Sequence, residues 1–439
     1  MYRLWKWILM VFYRDIRLNG DACVGEDQAV ILAANHVNGL VDPFVISAAL
    51  KRPMLFTAKA SLAKNPFLRF IAAALSVIFF QRPEAHRLQE ARQYNAKAIE
   101  KCLEVLSNRR SLCIFPEGKS HSDPGMKPFK TGVARIAANY LETYGNRPPL
   151  LIVPVGLNYE RKYAFRSSIT VTLGEPIELR DAAAILDKAG AKQLTLLLED
   201  RVRAVTTNFA RVRDSILIPW AAELYLQNSL APMALGLEVH DPENRVAVIN
   251  RFIKVYGELK QDPHVQRLEK RVYALRQRLL RNGLSVTELH LPIKLLQAAF
   301  FCFREFELFL LGLPVWLVGV CGHFAPLALV TGVVKAVTKD QDHWATHALF
   351  LGFPVFVIYY LALFLVIMVV DWRFVWVPLV VMPFSGYVAL LYTDRMKQML
   401  RRCRTFVTYL RHPDMHATLK AEAEAILHDI KQIQKRQKI

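Results

Sequence analysis

Ala29-Val30-Ile31-Leu32-Ala33-Ala34-Asn35-His36-Val37-Asn38-Gly39-Leu40-Val41-Asp42-Pro43 is the stretch on which the fold turns. Its first six residues are uniformly apolar, the pattern of a short strand covered on both faces. A histidine directly after such a strand stands at the carboxyl end of a sheet, where α/β proteins meet their ligands. Six positions separate His36 from Asp42, and an uninterrupted helix would put the two on different faces. A turn at Asn38-Gly39 removes that objection, since glycine accepts positive φ at little cost. Asp42 then orients the imidazole and supports the cation formed when it takes a proton. On this pair alone, a surface or packing role stays open.

Outward from this stretch, residues 76–80, 111–115, 150–155 and 169–173 also read as buried strands. Residues 83–106 and 131–144 read as crossover helices. An α/β domain is expected over 15–180, a central sheet flanked by helices. Residues 181–300 change to long Leu-, Ala-, Glu- and Arg-rich helical patterns, at 183–209 and 265–281 for example, and read as a separate helical domain. Residues 1–14 mix Arg3, Lys6 and Arg14 with Trp5, Trp7, Ile8 and Phe12. They read as an interfacial helix or as a helix packed on the domain, too short to span and with no signal-peptide cleavage site.

The 439 residues carry a net charge of +19 and are 53% hydrophobic. The charge alone allows nucleic acid or an anionic membrane as partner. Long uncharged runs over 306–392 decide for the membrane, and nucleic acid is not expected. Residues 348–370 are long enough to cross a hydrocarbon core of roughly 30 Å, and 374–392 form a second run, so the two read as a spanning hairpin. Residues 308–334 are interrupted by Pro314, Gly319, Gly322, His323 and Pro326. Lys335 and Lys339 follow this run, and Arg395, Lys397, Arg401, Arg402, Arg404 and Arg411 follow the hairpin. If both basic groups and the α/β domain are cytosolic, 308–334 enters and leaves on one side as a re-entrant or broken-helix segment; the alternative is a plain third span. Residues 394–439 read as a basic helical tail, bound to anionic headgroups or merely solvated. Cys23, Cys102, Cys113, Cys302, Cys321 and Cys403 are scattered without metal or redox spacing. Reduced thiols, no metal and a cytosol-facing domain are expected.

Three further blocks carry chemistry. Phe115-Pro116-Glu117-Gly118-Lys119-Ser120 offers a glycine turn whose backbone, with polar and basic neighbours, suits an anion. Arg82, in Phe79-Phe80-Gln81-Arg82-Pro83, suits a phosphate or a paired carboxylate. Lys127 and Lys130 lead from loop into helix, as anion contacts or as solvated lysines. Pro154, in Ile152-Val153-Pro154-Val155-Gly156, reads as a structural strand end.

In this order and approximate spacing, over about residues 12–180, these blocks resemble the glycerol-phosphate and lysophospholipid acyltransferase superfamily. Five residues lie between His36 and Asp42, where most of the superfamily has four. The longer spacing is similar to that of the fungal endoplasmic-reticulum glycerol-3-phosphate and dihydroxyacetone-phosphate acyltransferases, and it points to glycerol-3-phosphate as acceptor. The resemblance implies that His36 is the general base, oriented by Asp42, and that the acceptor hydroxyl attacks the thioester directly, without an acyl-enzyme. It implies that Arg82 holds the acceptor phosphate and that Glu117, Gly118, Lys119 and Ser120 line the substrate site. Lys119-Ser120 stands where many relatives have a Thr-Arg pair, so the role of Lys119 stays open, and Glu117 is left between bonding to the acceptor and supporting the loop.

The expected activity is membrane-bound O-acyl transfer from an acyl thioester, acyl-CoA or acyl-carrier protein, to glycerol-3-phosphate or 1-acylglycerol-3-phosphate. The thioester is a co-substrate and no cofactor is implied. The expected partners are the acyl donor, the glycerol-phosphate acceptor, membrane lipids and acyl carrier protein. Two alternatives stand beside it: a remodelling acyltransferase for another lysophospholipid, and a non-catalytic lipid-binding membrane scaffold.

Overall fold

The computed structural model describes residues 2–20, 28–50, 52–81, 88–179, 187–230, 242–289, 295–338 and 344–436. Cys23, Arg82 and Lys339 lie outside the described residues. The chain divides into two units, Met1–Ala210 with Thr338–Leu349, and Arg211–Val337 with Phe350–Ile439.

The first unit is built in chain order from α1 (Tyr2–Phe12), β1 (Asp15–Asn19), β2 (Ala29–Ala34), α2 (Val41–Leu50), β3 (Met54–Lys59), α3 (Pro66–Ala74) and β4 (Val77–Phe80). It continues with α4 (Leu88–Ser107), β5 (Ser111–Ile114), α5 (Gly132–Tyr144), β6 (Leu150–Tyr159), β7 (Ser168–Leu173), β8 (Ile177–Leu179) and α6 (Lys188–Val205). The sheet order is β1-β7-β6-β2-β5-β3-β4, with β8 beside β6. The pairs are parallel except β6 with β7 and β6 with β8. This is the expected central sheet flanked by helices.

β2 sits between β5 and β6 with every residue buried, which is why it reads as a continuous apolar run. Ala29, Ile31 and Ala33 face a core made with Cys102 and Leu106 of α4, Val133 and Ala137 of α5, and Leu194 and Leu198 of α6. Phe44, Val45 and Ile46 of α2 are also fully buried, and α1 packs against α2. Because α6 completes the cover of the sheet, the α/β unit extends to Ala210, so the helical domain expected from residue 181 begins later. β1 and β3 have no purely apolar run and were not expected; β1 is an edge strand whose chain is half-buried. Residues 1–14 follow the packed alternative: Leu9 and Phe12 are buried, and Arg166 Nη1 donates to the Met10 carbonyl at 2.9 Å.

The second unit contains α7 (Val212–Leu230), α8 (Pro242–Leu259), α9 (Pro263–Arg281), α10 (Leu295–Val337), most of α11 (Trp344–Asp371), α12 (Met382–Arg411) and α13 (Pro413–Arg436). Three helical stretches, Ala299–Val337, Trp344–Phe374 and Val377–Arg411, are long and apolar enough to cross a membrane, by length and composition.

The broken or re-entrant segment expected over 308–334 is instead part of one continuous 43-residue helix that runs through Pro314 and Pro326. Its glycines serve packing. A Cβ at Gly312 would meet the Tyr392 ring, and one at Gly319 would meet the Ser385 carbonyl and Ala389. Small residues thus let α10 and α12 approach closely, as at helix interfaces in lipid. The glycines mark an interface, not a break. α12 therefore packs on α10 rather than chiefly on α11, its expected hairpin partner. Arg395 Nε lies 3.1 Å from Glu305 Oε2 near the start of α10, whereas Lys335 is near its end. The two basic groups thus mark opposite ends of one helix, which removes the premise for re-entry.

The expected basic tail is a core element. Leu419, Ala423, Ile426 and Leu427 of α13 pack with Leu224 of α7 and Leu275 and Leu279 of α9. Arg278 donates to Glu422 at 2.6 Å across the same helix pair.

Candidate active site

His36 emerges from the end of β2 and Asp42 opens α2. Between them the chain turns at Gly39, φ +38°, and Val41 N–H closes on the Asn38 carbonyl at 2.9 Å. The turn brings the His36 Nδ1 to 2.9 Å from Asp42 Oδ2. The same oxygen accepts the backbone N–H groups of Val37 at 2.9 Å and Asn38 at 2.8 Å. Tyr159 Oη, at the end of β6, donates to Asp42 Oδ1 at 2.5 Å.

The Asp42 carboxylate is wholly buried, so these four donors replace its lost hydration. As a carboxylate accepts only, Nδ1 carries the proton and Nε2 the lone pair. The imidazole stacks on Phe115, with ring centroids 4.2 Å apart, and its side chain keeps 17% exposure. An imidazole so held can take a proton on Nε2 from a bound hydroxyl. Burial pushes the Tyr159 phenol well above its usual range, and the Asp42 charge and Tyr13 add to this. It therefore remains a donor at neutral pH.

Glu117 is 3% exposed and is committed to the fold of the site. Oε1 accepts the His36 backbone N–H at 2.7 Å; Oε2 accepts the Lys127 N–H at 2.9 Å and pairs with His121 Nε2. His121 N–H in turn reaches the His36 carbonyl at 3.3 Å. Of the two roles left open for Glu117, the geometry is that of loop support.

Gly118 has φ +73°, and a Cβ there would sit 2.6 Å from Lys130 Nζ. The Lys130 ammonium thus lies against the Gly118 backbone. Lys119 is exposed and Ser120 half-buried. Lys127 Nζ pairs with Asp123 at 2.9 Å, and this pairing pulls the Asp123 carboxyl below its usual range. Pro154 lies inside β6, opposite Ala33 of β2.

Sequence reasoning missed Tyr159, His121 and Lys162, whose ammonium donates to the His121 carbonyl at 3.1 Å. His121 directly follows a block already singled out; the other two are distant in sequence. Cys113 lies on β5 beside the site, and burial raises its thiol far above neutrality, while Cys102 is pushed up to about 12. Neither thiol is a nucleophile near neutral pH.

Residues 15–158, which include His36, Asp42 and Glu117, match the Acyltransferase family model, in line with the motif resemblance. Glycerol-3-phosphate O-acyltransferase 1 of Saccharomyces cerevisiae is 23% identical over 366 residues, 62% of this chain and 47% of that protein. The 1-acyl-sn-glycerol-3-phosphate acyltransferase of Borreliella burgdorferi is 26% identical over 156 residues, 36% of this chain and 58% of that protein. The crystal structure of the 1-acyl-sn-glycerophosphate acyltransferase PlsC from Thermotoga maritima aligns at a TM-score of 0.33 and 20% identity, over 46% of this chain and 76% of that one. The chain spans about half the length of the yeast relative.

Proposed function

We propose that the protein is a membrane-bound glycerolipid O-acyltransferase that moves a fatty acyl group from an acyl thioester to glycerol-3-phosphate, with 1-acylglycerol-3-phosphate as the alternative acceptor. The observation that carries this reading is the His36–Asp42 pair, 2.9 Å apart, on a carboxylate held by two amides and a phenol.

In the proposed step, His36 Nε2 takes the proton of the acceptor hydroxyl as that oxygen attacks the thioester carbonyl carbon. The C–S bond of the tetrahedral intermediate then breaks, and the imidazolium returns its proton to the departing thiolate. Asp42 supports the transient imidazolium charge. The ester forms without an acyl-enzyme and no cofactor enters. Arg82, Lys119 and Lys130 are the proposed sources of positive charge for phosphate, Ser120 lines the same site, and Lys127 acts through its backbone N–H.

The catalytic unit is proposed to face the cytosol, where acyl-CoA and acyl-carrier protein are available; the described cysteines are free, in keeping with a reducing compartment. The names of the yeast and Borreliella relatives support the two acceptors, and the His-to-Asp spacing favours glycerol-3-phosphate.

The test is transfer from labelled palmitoyl-CoA, by detergent-solubilised protein, to each acceptor separately, for wild type and His36→Ala. Transfer to glycerol-3-phosphate that falls by about 10²–10⁴ in the variant is expected. No transfer by folded wild type to either acceptor, with carrier-protein donors also tried, overturns the reading.

A further inference from the structure

Thr346 lies in the first turn of α11, in the stretch Thr338–Leu349 that belongs to the same compact unit as the catalytic sheet. It is 8% exposed, and its Oγ1 has no hydrogen-bond partner among the described residues. A buried hydroxyl left unpaired is destabilising, and a ligand group that bonded to it would remove that penalty.

The hydroxyl faces the site. A Cβ built on Gly39 would lie 3.8 Å from Thr346 Oγ1 and 3.8 Å from Ser120 Oγ. The two hydroxyls thus flank the space over the one residue of the His36–Asp42 turn that has no side chain. That space adjoins the base, because Ser120 is followed by His121, whose N–H binds the His36 carbonyl at 3.3 Å.

We infer that Thr346, at the N-terminal end of α11, and Ser120 form a phosphate subsite that positions the acceptor for His36. The chemistry favours a phosphate oxygen over a neutral group for two reasons. The positive end of a helix dipole stabilises an anion, and the Lys130 ammonium lies against Gly118, two residues from Ser120. Gly39 leaves room for the ligand where any side chain would fill it. The same helix continues as one of the apolar spans, so the acceptor-binding residue and a membrane anchor share one element. This inference rests on the acyltransferase reading and adds to it a residue far outside the acyltransferase-family domain.

The experiment uses the full chain in detergent with Thr346→Val, which removes the hydroxyl at nearly constant volume, and Thr346→Ser, which keeps it. KM and kcat are measured for glycerol-3-phosphate at saturating palmitoyl-CoA, and for palmitoyl-CoA at saturating glycerol-3-phosphate. Melting is followed with and without glycerol-3-phosphate. The expected result is a KM for glycerol-3-phosphate raised about tenfold in Thr346→Val and restored to within about twofold in Thr346→Ser, with KM for palmitoyl-CoA unchanged. A rise confined to palmitoyl-CoA overturns the inference as stated, since it assigns the hydroxyl to the donor's phosphates and not to the acceptor's.

Unchanged KM values for both substrates in an active Thr346→Val overturn the inference and leave the acyltransferase reading intact. Equal rises in both variants also overturn it, since they report packing. A wild type without turnover, yet stabilised by glycerol-3-phosphate in a way that Thr346→Val abolishes, overturns the acyltransferase reading and leaves the subsite standing.

Discussion

Tyr159 Oη donates to Asp42 Oδ1 at 2.5 Å, from a strand end more than a hundred residues beyond the carboxylate it serves. The other oxygen is taken by His36 and by two backbone N–H groups. Among the described residues, the phenol is the one side-chain hydroxyl that donates to this buried charge. Tyr159→Phe is expected to lower kcat about 10- to 100-fold, the worth of one hydrogen bond to a charged group, with KM for both substrates nearly unchanged. Steady-state kinetics checks this; a kcat within twofold of wild type would show that Asp42 does not depend on the phenol.

Tyr13 and Tyr159 are both raised above the usual phenol value of 10.0, chiefly by burial. Below about pH 10 each is neutral in folded and unfolded chains alike, so their contribution to stability is fully present. As the pH rises further the unfolded chain ionises first, and that contribution is lost up to the raised folded values. Melting temperature is expected to fall above about pH 10 and to fall less steeply in the Tyr13→Phe, Tyr159→Phe double variant. Parallel alkaline profiles for the two proteins would contradict this.

Glu117 ties His36 to the loop at Lys127 through backbone N–H groups on both its oxygens. Glu117→Gln turns an N–H₂ toward one of those donors. A loss of about 100-fold in kcat together with about 2 kcal/mol in stability is expected. If Glu117 instead bound the acceptor, KM for glycerol-3-phosphate would rise and the melting point would hold.

At Gly118, φ is +73° and the place of a Cβ is occupied by the Lys130 side chain. Gly118→Ala should cost about 1–2 kcal/mol in backbone strain alone, read from chemical or thermal unfolding. Displacement of Lys130 should raise KM for the phosphate-bearing acceptor in the same protein.

Ile426 of α13 is completely buried in the core it shares with α7 and α9. Ile426→Ala is expected to destabilise by about 2–5 kcal/mol. A solvated or headgroup-bound tail helix would tolerate the change without a shift in melting.

Much of the site was legible because its parts are local. The apolar run of β2, the exposed histidine after it and the glycine that lets the chain turn toward Asp42 all fall within fifteen consecutive residues, 29–43. Glu117 and Gly118 were readable as a block, but not the direction of the Glu117 carboxylate, which depends on the loop at Lys127. α6 was readable as a helix, though not as part of the α/β unit, because its apolar face looks alike whichever core it joins. The glycines of α10 read as interruptions because their partners on α12 lie some sixty to eighty residues further along the chain.

The sequence by itself determined the sheet, the His36–Asp42 pairing across a glycine turn and the apolar spans, since each is written in neighbouring residues through burial periodicity, turn chemistry or length. Only the tertiary structure decided that Tyr159 caps Asp42, that Glu117 and His121 bind the backbone of His36, and that the Thr346 hydroxyl faces the turn at Gly39. Those relationships join residues far apart in the chain, and a side chain's partner across such a distance is chosen by packing, which no local pattern records.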